Sequence, residues 1–304
     1  MSERASVLYD IPGPKAKRVN LVVSVLFGIV LAALAWWVVS ILASKNQFES
    51  AKWSPFLELQ NWTTYLLPGL WATLQAAFVS VIIALPIGAL LGIARLSDHS
   101  WVRWPAGVVV EFFRSIPVII LMLFAFQLWF AVLGVSSPFA AVVIGLVLYN
   151  GSVLAEVVRA GILAVPRGQT EAALAIGLNK TQLMTIVLLP QAVTTMLPAV
   201  VSQLVVIVKD TALGGILVGY VELRRAANTS ASFYGNLLPT YVVVAVIYIV
   251  INMSLSSLSH WLEHKLRTRG GGRVVKIDEG AQNDLLAARQ SVEVLSVPGV
   301  DETR

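Results

Sequence analysis

Apolar residues in this chain come in long unbroken runs, not in the three-to-four spacing of a soluble helix or the alternation of a half-buried strand. The first, Leu21 to Ser44, follows Lys15, Lys17 and Arg18. At more than 20 apolar residues it is too long for the hydrophobic region of a secretory signal, so it reads as a retained first span. A second run extends from about Leu67 to Ala94. Ser115 to Ala155 holds 41 residues without a charge, about twice the ~20 that a helix needs to cross ~30 Å of hydrocarbon. Gly134-Val135-Ser136-Ser137-Pro138 breaks it with turn chemistry, which gives spans at about 116–133 and 139–163. A fifth lies near Ile186 to Val208 and a sixth covers about Leu238 to Ser259. The pattern predicts six helices, and no ten-residue alternation suggests a membrane β-barrel.

Composition agrees with that pattern. Apolar residues make up 57% of the chain, charged ones 13%, and mean hydropathy is +0.78. So little polar surface cannot coat a soluble globule of this length, and the expected class is an all-α, multi-pass protein of the cell membrane. Orientation follows from Lys and Arg, which concentrate in cytoplasmic connections. With the N-terminus inside, 17 of the 22 fall on inner segments and 5 on outer ones. Both termini and the 166–185 connection are then cytoplasmic. The outer segment 209–236 fits least well because it holds Arg224 and Arg225, and it is expected to dip back toward the membrane. The net charge of +5 is thereby a topology signal, not a nucleic-acid footprint.

Zero cysteines exclude disulfides and thiolate metal sites. His260 and His264 could share a helix face, but no third ligand accompanies them and no metal is expected. Three regions result: a cytoplasmic segment 1–19, a membrane domain 20–265, and a mostly disordered cytoplasmic tail 266–304 in which 284–294 can form a transient helix.

The polar island between spans four and five is the main candidate for function. Gln169 to Ile176 is rich in helix formers, and Gly177 can take the left-handed conformation that ends a helix. Asn179 is then a good N-cap with Gln182 as its capping-box partner, and Pro190 should end or kink the second piece. Two short helices joined at a glycine would form a projecting knob suited to a groove on another protein.

The spacing of Glu171, Ala172 and Ala173, with Gly177 six residues after the Glu and Leu189-Pro190 beyond, resembles the EAA loop of ATP-binding-cassette importer permeases. One departure is Val187, where the family usually has Ile. Gly69-Leu70-Trp71-Ala72-Thr73-Leu74, Gly92-Ile93-Ala94-Arg95, Phe113-Arg114-Ser115-Ile116-Pro117, Ala155-Glu156-Val157-Val158-Arg159 and Lys209-Asp210-Thr211-Ala212-Leu213 are similar to the polar amino acid permeases of that superfamily. The stretch Ser6 to Pro14 resembles glutamate permeases of actinomycetes. The resemblance implies a type I importer fold: a five-helix core over roughly 65–265, with the first span added. It also implies that Gly168, Glu171, Ala172, Ala173, Gly177, Leu189 and Pro190 seat in an ATPase subunit that uses ATP and Mg. A second permease subunit, identical or different, and an extracytoplasmic solute-binding protein complete the implied assembly.

Several charges bear on the pathway. Glu156 and Arg159 can pair along one helix face, as a snorkelling anchor or as part of a gate, and Arg114 with Glu111 and Pro117 reads as a second anchor. Lys209, Asp210 and Thr211 follow more than 20 uncharged residues and precede Gly214-Gly215, which permits an irregular backbone. Asp210 could neutralise Lys209, or both could face a solute path. No phosphate-loop motif and no nucleophile arrangement occurs, so the chain is expected to bind no cofactor and hydrolyse no ATP. A secondary carrier, with Asp210 as its ion site, and a non-transporting adaptor are the alternatives.

Overall fold

A computed structural model describes residues 13–270. The described residues are helical throughout, apart from short connections. Residues 1–12 and the tail beyond 270, including the expected helix at 284–294, lie outside the described part, as do the side chains of His260 and His264.

Helix α1 (Pro14–Ser44) starts at a proline, whose missing N–H is harmless in a first turn, and none of its residues is buried. After a short turn of helix at Ser50–Trp53 comes α2 (Leu59–Ala94), which contains a π-helical segment over Trp62–Leu66. α3 (Ser100–Ser115) and α4 (Val118–Leu133) meet at a 103° bend. Pro117 imposes it, because the residue before a proline is pushed out of the helical region and Ile116 has ψ 131. The expected span at 116–133 is therefore half of a bent pair: α4 has 16 residues, which is short for a crossing, and α3 runs off at an angle. Among the described residues, five helices are long and apolar enough to span, or up to six if the bent pair counts as one.

Gly134 (φ 67) ends α4, and the Ser137 side chain with Pro138 starts α5 (Pro138–Leu163), as the turn chemistry there predicts. α6 (Arg167–Ala175) is followed by α7 (Lys180–Leu217), α8 (Leu223–Tyr234) and α9 (Leu237–Gly270). The chain divides into two units, Met1–Ser259 and His260–Arg304. The second is described only as the end of α9, where Lys265 Nζ lies 4.6 Å from the Trp261 ring centre.

α5 is the hub, with α2, α4, α7 and α3 packed on it. Helices in lipid gain little hydrophobic drive from each other, so close approach of small residues decides their packing. α2 supplies such a stripe in Gly69, Thr73, Ala77, Ser80, Ala84, Gly88 and Gly92, all buried. A Cβ on Gly88 would lie 2.6 Å from Leu154 Cβ, and one on Gly92 would lie 2.6 Å from the Ala155 carbonyl oxygen. α4 approaches α5 as closely, since a Cβ on Gly145 would lie 2.6 Å from Met122 Cγ. Within the interior, Gln203 of α7 donates to Asn150 Oδ1 on α5 at 2.5 Å, and Asn150 in turn donates to the Leu146 carbonyl at 2.9 Å. In hydrocarbon a bond of this kind holds two helices in register.

Candidate coupling hairpin and translocation face

The segment between α5 and α7 forms the helix–glycine–helix unit that the sequence predicts. α6 ends at Ala175, Gly177 takes φ 85, and Asn179 caps α7. The Asn179 side chain accepts from the Gln182 N–H at 2.9 Å, and Gln182 Oε1 accepts from the Asn179 N–H at 2.9 Å, a complete capping box. The second helix is not short, however. Pro190 does not end it, because a π-helical segment over Leu183–Leu188 absorbs the bond that proline cannot make. The hairpin thus continues into the 38-residue α7 without a joint. Gln191 Nε2 ties the two arms, donating to Gln169 Oε1 at 3.3 Å and to the Val187 carbonyl at 3.0 Å.

Gly168, Glu171, Ala172, Gly177 and Pro190 are exposed, Leu189 is half-buried, and Ala173 is buried against the rest of the chain. Leu174 and Ile176 stand 53% and 77% exposed beside Glu171, leaving an apolar and acidic outer surface. A Cβ added at Gly168 or Gly177 would meet nothing within 4 Å beyond its chain neighbours. Gly177 is required here by its left-handed backbone, not by space.

At the same end of the bundle lies an ion chain that joins three elements. Arg159 Nε and Nη2 donate to Glu156 Oε1 at 3.0 and 2.5 Å, as the three-residue spacing suggests. Arg114 Nη2 donates to Glu111 Oε2 at 3.0 Å. Arg95, at the end of α2, links the two pairs through Nη1 to Glu156 Oε2 (2.8 Å) and Nη2 to Glu111 Oε1 (3.0 Å). Sequence spacing gives no sign of that link, since Arg95 and Glu156 are 61 residues apart. Asp98 in the α2–α3 turn pairs with Lys180 at the start of α7. The Lys180 ammonium holds the Asp98 carboxyl below its ordinary value.

The family model described as binding-protein-dependent transport system inner membrane component matches residues 84–268. The chain belongs to this family. The permease is 49% identical over 229 residues to the glutamate transport system permease protein GluD of Corynebacterium glutamicum, covering 74% of this chain and 84% of that protein. It is 32% identical to a glutamate/aspartate import permease of Escherichia coli over 214 residues, 66% of this chain and 93% of that one. Among solved structures, one titled as an amino acid ABC transporter with histidines superposes with a TM-score of 0.64 at 28% identity, covering 69% of this chain and 98% of that one. The MetNI methionine ABC transporter in an inward-facing form gives 0.60 at 25%, covering 69% and 99%. The permease is thus an all-helical membrane component with the type I importer fold, homologous to amino acid ABC transport permeases.

In the permease, Lys209, Asp210 and Thr211 lie on regular helix near the end of α7 remote from the hairpin. The irregular backbone expected at Gly214-Gly215 is absent, because α7 runs on to Leu217. Those glycines serve close approach instead: Gly214 abuts Val142, and a Cβ on Gly215 would lie 3.1 Å from Arg224 Nη2. Lys209 is exposed and Asp210 half-buried, and neither makes an ion pair among the described residues. Consecutive helical residues point about 100° apart, which keeps the two from closing on each other. Thr211 is buried, its Oγ1 donating to the Val208 carbonyl at 2.7 Å. Thr195, Ser202 and Lys209, seven apart, share the exposed side of α7.

Sequence reasoning missed Glu222. It is fully buried and caps α8, accepting from the Arg224 and Arg225 N–H groups at 2.6 and 2.9 Å, with the Tyr248 hydroxyl at 3.4 Å. Arg224 and Arg225 fold back onto the last carbonyls of α7, Ala212 at 3.2 Å and Gly215 at 2.9 Å. This explains the two arginines that fitted the outer segment poorly: both side chains cap carbonyls near the end of α7, and Arg224 also lies 3.7 Å from the buried Glu222 carboxyl. The remaining signal was a lone acid beside two bases in 211–236, but Glu is not a preferred N-cap and so drew no attention.

Proposed function

We propose that this chain is the pore-forming subunit of an ATP-driven importer of a polar amino acid, with glutamate as the preferred substrate. The observation that carries the reading is the exposed α6–Gly177–α7 hairpin, continuous with α7 and joined to α5 through only the short turn at 164–166. The distribution of Lys and Arg supports six crossings with both termini and the hairpin in the cytoplasm. Glu171, Leu174 and Ile176 then form the surface on which a separate ATPase docks, and that subunit supplies hydrolysis with ATP and Mg.

Because α6 packs on the π-helical start of α7, movement of the hairpin is handed directly to the helix that carries Thr195, Ser202 and Lys209. A polar stripe facing lipid is costly, so this side of α7 faces a second permease subunit across a water-filled path. A solute-binding protein delivers substrate at the opposite end. ATP shifts the equilibrium between two arrangements only through contacts that differ between them. Glutamate is favoured by the similarity to the Corynebacterium glutamate permease. Competition among labelled amino acids in proteoliposomes tests the substrate, and Lys209→Ala, with assembly intact, should lower uptake at least ~10-fold if its charge meets a substrate carboxylate. Unchanged uptake in that variant removes Lys209 from the path.

A further inference from the structure

The ion chain at the hairpin end borders a groove of about 930 Å³ whose function the importer reading leaves unassigned. Its walls include Arg95, Arg103, Arg159, Trp104, Val108 and Phe112. One wall, α3, carries Arg103 and Glu111 together with the apolar strip. Arg95 and Arg159 approach from α2 and α5, while α3 lays Trp104 and Phe112 along the other side, 73% and 58% exposed. α3 buries Ala106 and Val110 against the bundle and turns Trp101 and Trp104 outward. An amphipathic helix with outward tryptophans lies in the membrane interface, at headgroup depth.

Charge is not balanced around the groove. Arg95, Arg103, Arg114 and Arg159 share only the carboxylates of Glu111 and Glu156, and the neighbouring Asp98 is engaged by Lys180. Arg103 makes no ion pair among the described residues, its Nη1 donating to the Ser97 carbonyl at 3.2 Å. A guanidinium has five donors in a fixed fork, so most of those of Arg103 are left for another acceptor. Surplus guanidinium groups at headgroup depth beside an apolar trough match one chemistry: a phosphodiester with an attached acyl chain.

We infer that this groove binds an anionic phospholipid, with the phosphate on Arg103 and Arg159 and an acyl chain along Trp104, Val108 and Phe112. The lipid supplies the negative charge that two carboxylates cannot, and it holds α3 against α2 and α5 at the end that carries the hairpin.

The test uses the full-length chain in nanodiscs of equal phosphatidylglycerol and phosphatidylcholine, with retained lipids counted by native mass spectrometry after transfer to detergent. Wild type should retain phosphatidylglycerol preferentially, and Arg103→Gln should lower that preference about fivefold, the usual weight of one basic residue at an anionic surface. Arg103→Lys should keep most of it. Excess inorganic phosphate should leave the retained lipid in place; displacement by phosphate would mean a free-anion site and would overturn the assignment. So would equal retention of the two lipids by wild type, or an unchanged preference in Arg103→Gln. The readout is a lipid ratio, so it stands or falls independently of transport activity.

Discussion

Replacing Glu222 by Ala removes one buried carboxylate and leaves four groups without their partner. The two α8 N–H groups lose an acceptor at 2.6 and 2.9 Å, Tyr248 loses its bond, and Arg224 loses an ion-pair partner at 3.7 Å. Loss of an N-cap alone costs about 1 kcal/mol, and stranding a charge by deleting its buried partner costs about 3–5 kcal/mol. For a chain of this size that corresponds to a Tm lower by roughly 10 °C. Glu222→Gln keeps the volume and one acceptor oxygen, so it should lose about 1.5–3 kcal/mol. The pH dependence has a definite sign. Burial raises the Glu222 carboxyl above its ordinary value, while the Arg224 and Arg225 N–H groups and the Arg224 charge oppose the rise. The folded protein therefore holds this proton to higher pH than the unfolded chain does. The advantage of Glu over Gln is complete below the ordinary carboxylate value and shrinks as pH rises through the raised one. Thermal unfolding of purified protein followed by size-exclusion fluorescence measures both effects. A Glu222→Ala variant that melts within about 2 °C of wild type, or a Glu–Gln gap that widens as pH rises above the ordinary carboxylate value, would refute the buried-cap reasoning.

Two further outcomes follow from the packing. Gly92→Leu should yield no folded protein, since its Cβ would already lie 2.6 Å from the Ala155 carbonyl oxygen; Gly107→Ala on α3, where nothing lies within 4 Å, should gain about 0.5–1 kcal/mol from helix propensity. Monodisperse yield separates the two. Asp98→Lys or Lys180→Asp should each weaken coupling of uptake to ATP hydrolysis, and the double exchange should restore it; single reversals with normal coupling would show that the strut from the α2–α3 turn to α7 carries no force. Because Lys180 holds the Asp98 carboxyl below its ordinary value, this pair persists above that value and is lost only as pH falls through the lowered one.

Features governed by neighbours in sequence were legible before any coordinates. The Gly134–Pro138 break, the Asn179–Gln182 capping box and the left-handed Gly177 depend on local backbone chemistry, and all three appear where expected. The family resemblance rested on spacings of the same local kind. What the sequence could not disclose were pairings across long loops. Arg95 becomes the hinge of an ion chain only because α2 and α5 run side by side at glycine contact, and the Glu222 cap, though local in itself, is met by Tyr248 only because α9 returns to it. A proline does not always end a helix. Pro190 breaks a regular α-helix, yet a π-helical turn before it lets α7 continue. Pro117 reads in the sequence as part of an interfacial anchor with Glu111 and Arg114, which does not disclose that it turns α3 through 103° and shortens α4 below a full crossing.

The central claim is that the α6–Gly177–α7 hairpin seats in an ATPase subunit. It is tested most directly by co-purifying the cognate ATPase with tagged wild-type permease, Gly177→Ala and Gly177→Asp from the same membranes, with uptake measured in parallel. Either substitution strains the left-handed backbone by about 1–2 kcal/mol, and a Cβ there meets nothing within 4 Å beyond its chain neighbours. Both variants should therefore insert and fold. Gly177→Ala should keep part of its ATPase and its uptake, whereas Gly177→Asp, which projects a larger charged group into the docking surface, should lose both. Full uptake and undiminished ATPase recovery with Gly177→Asp would contradict the account.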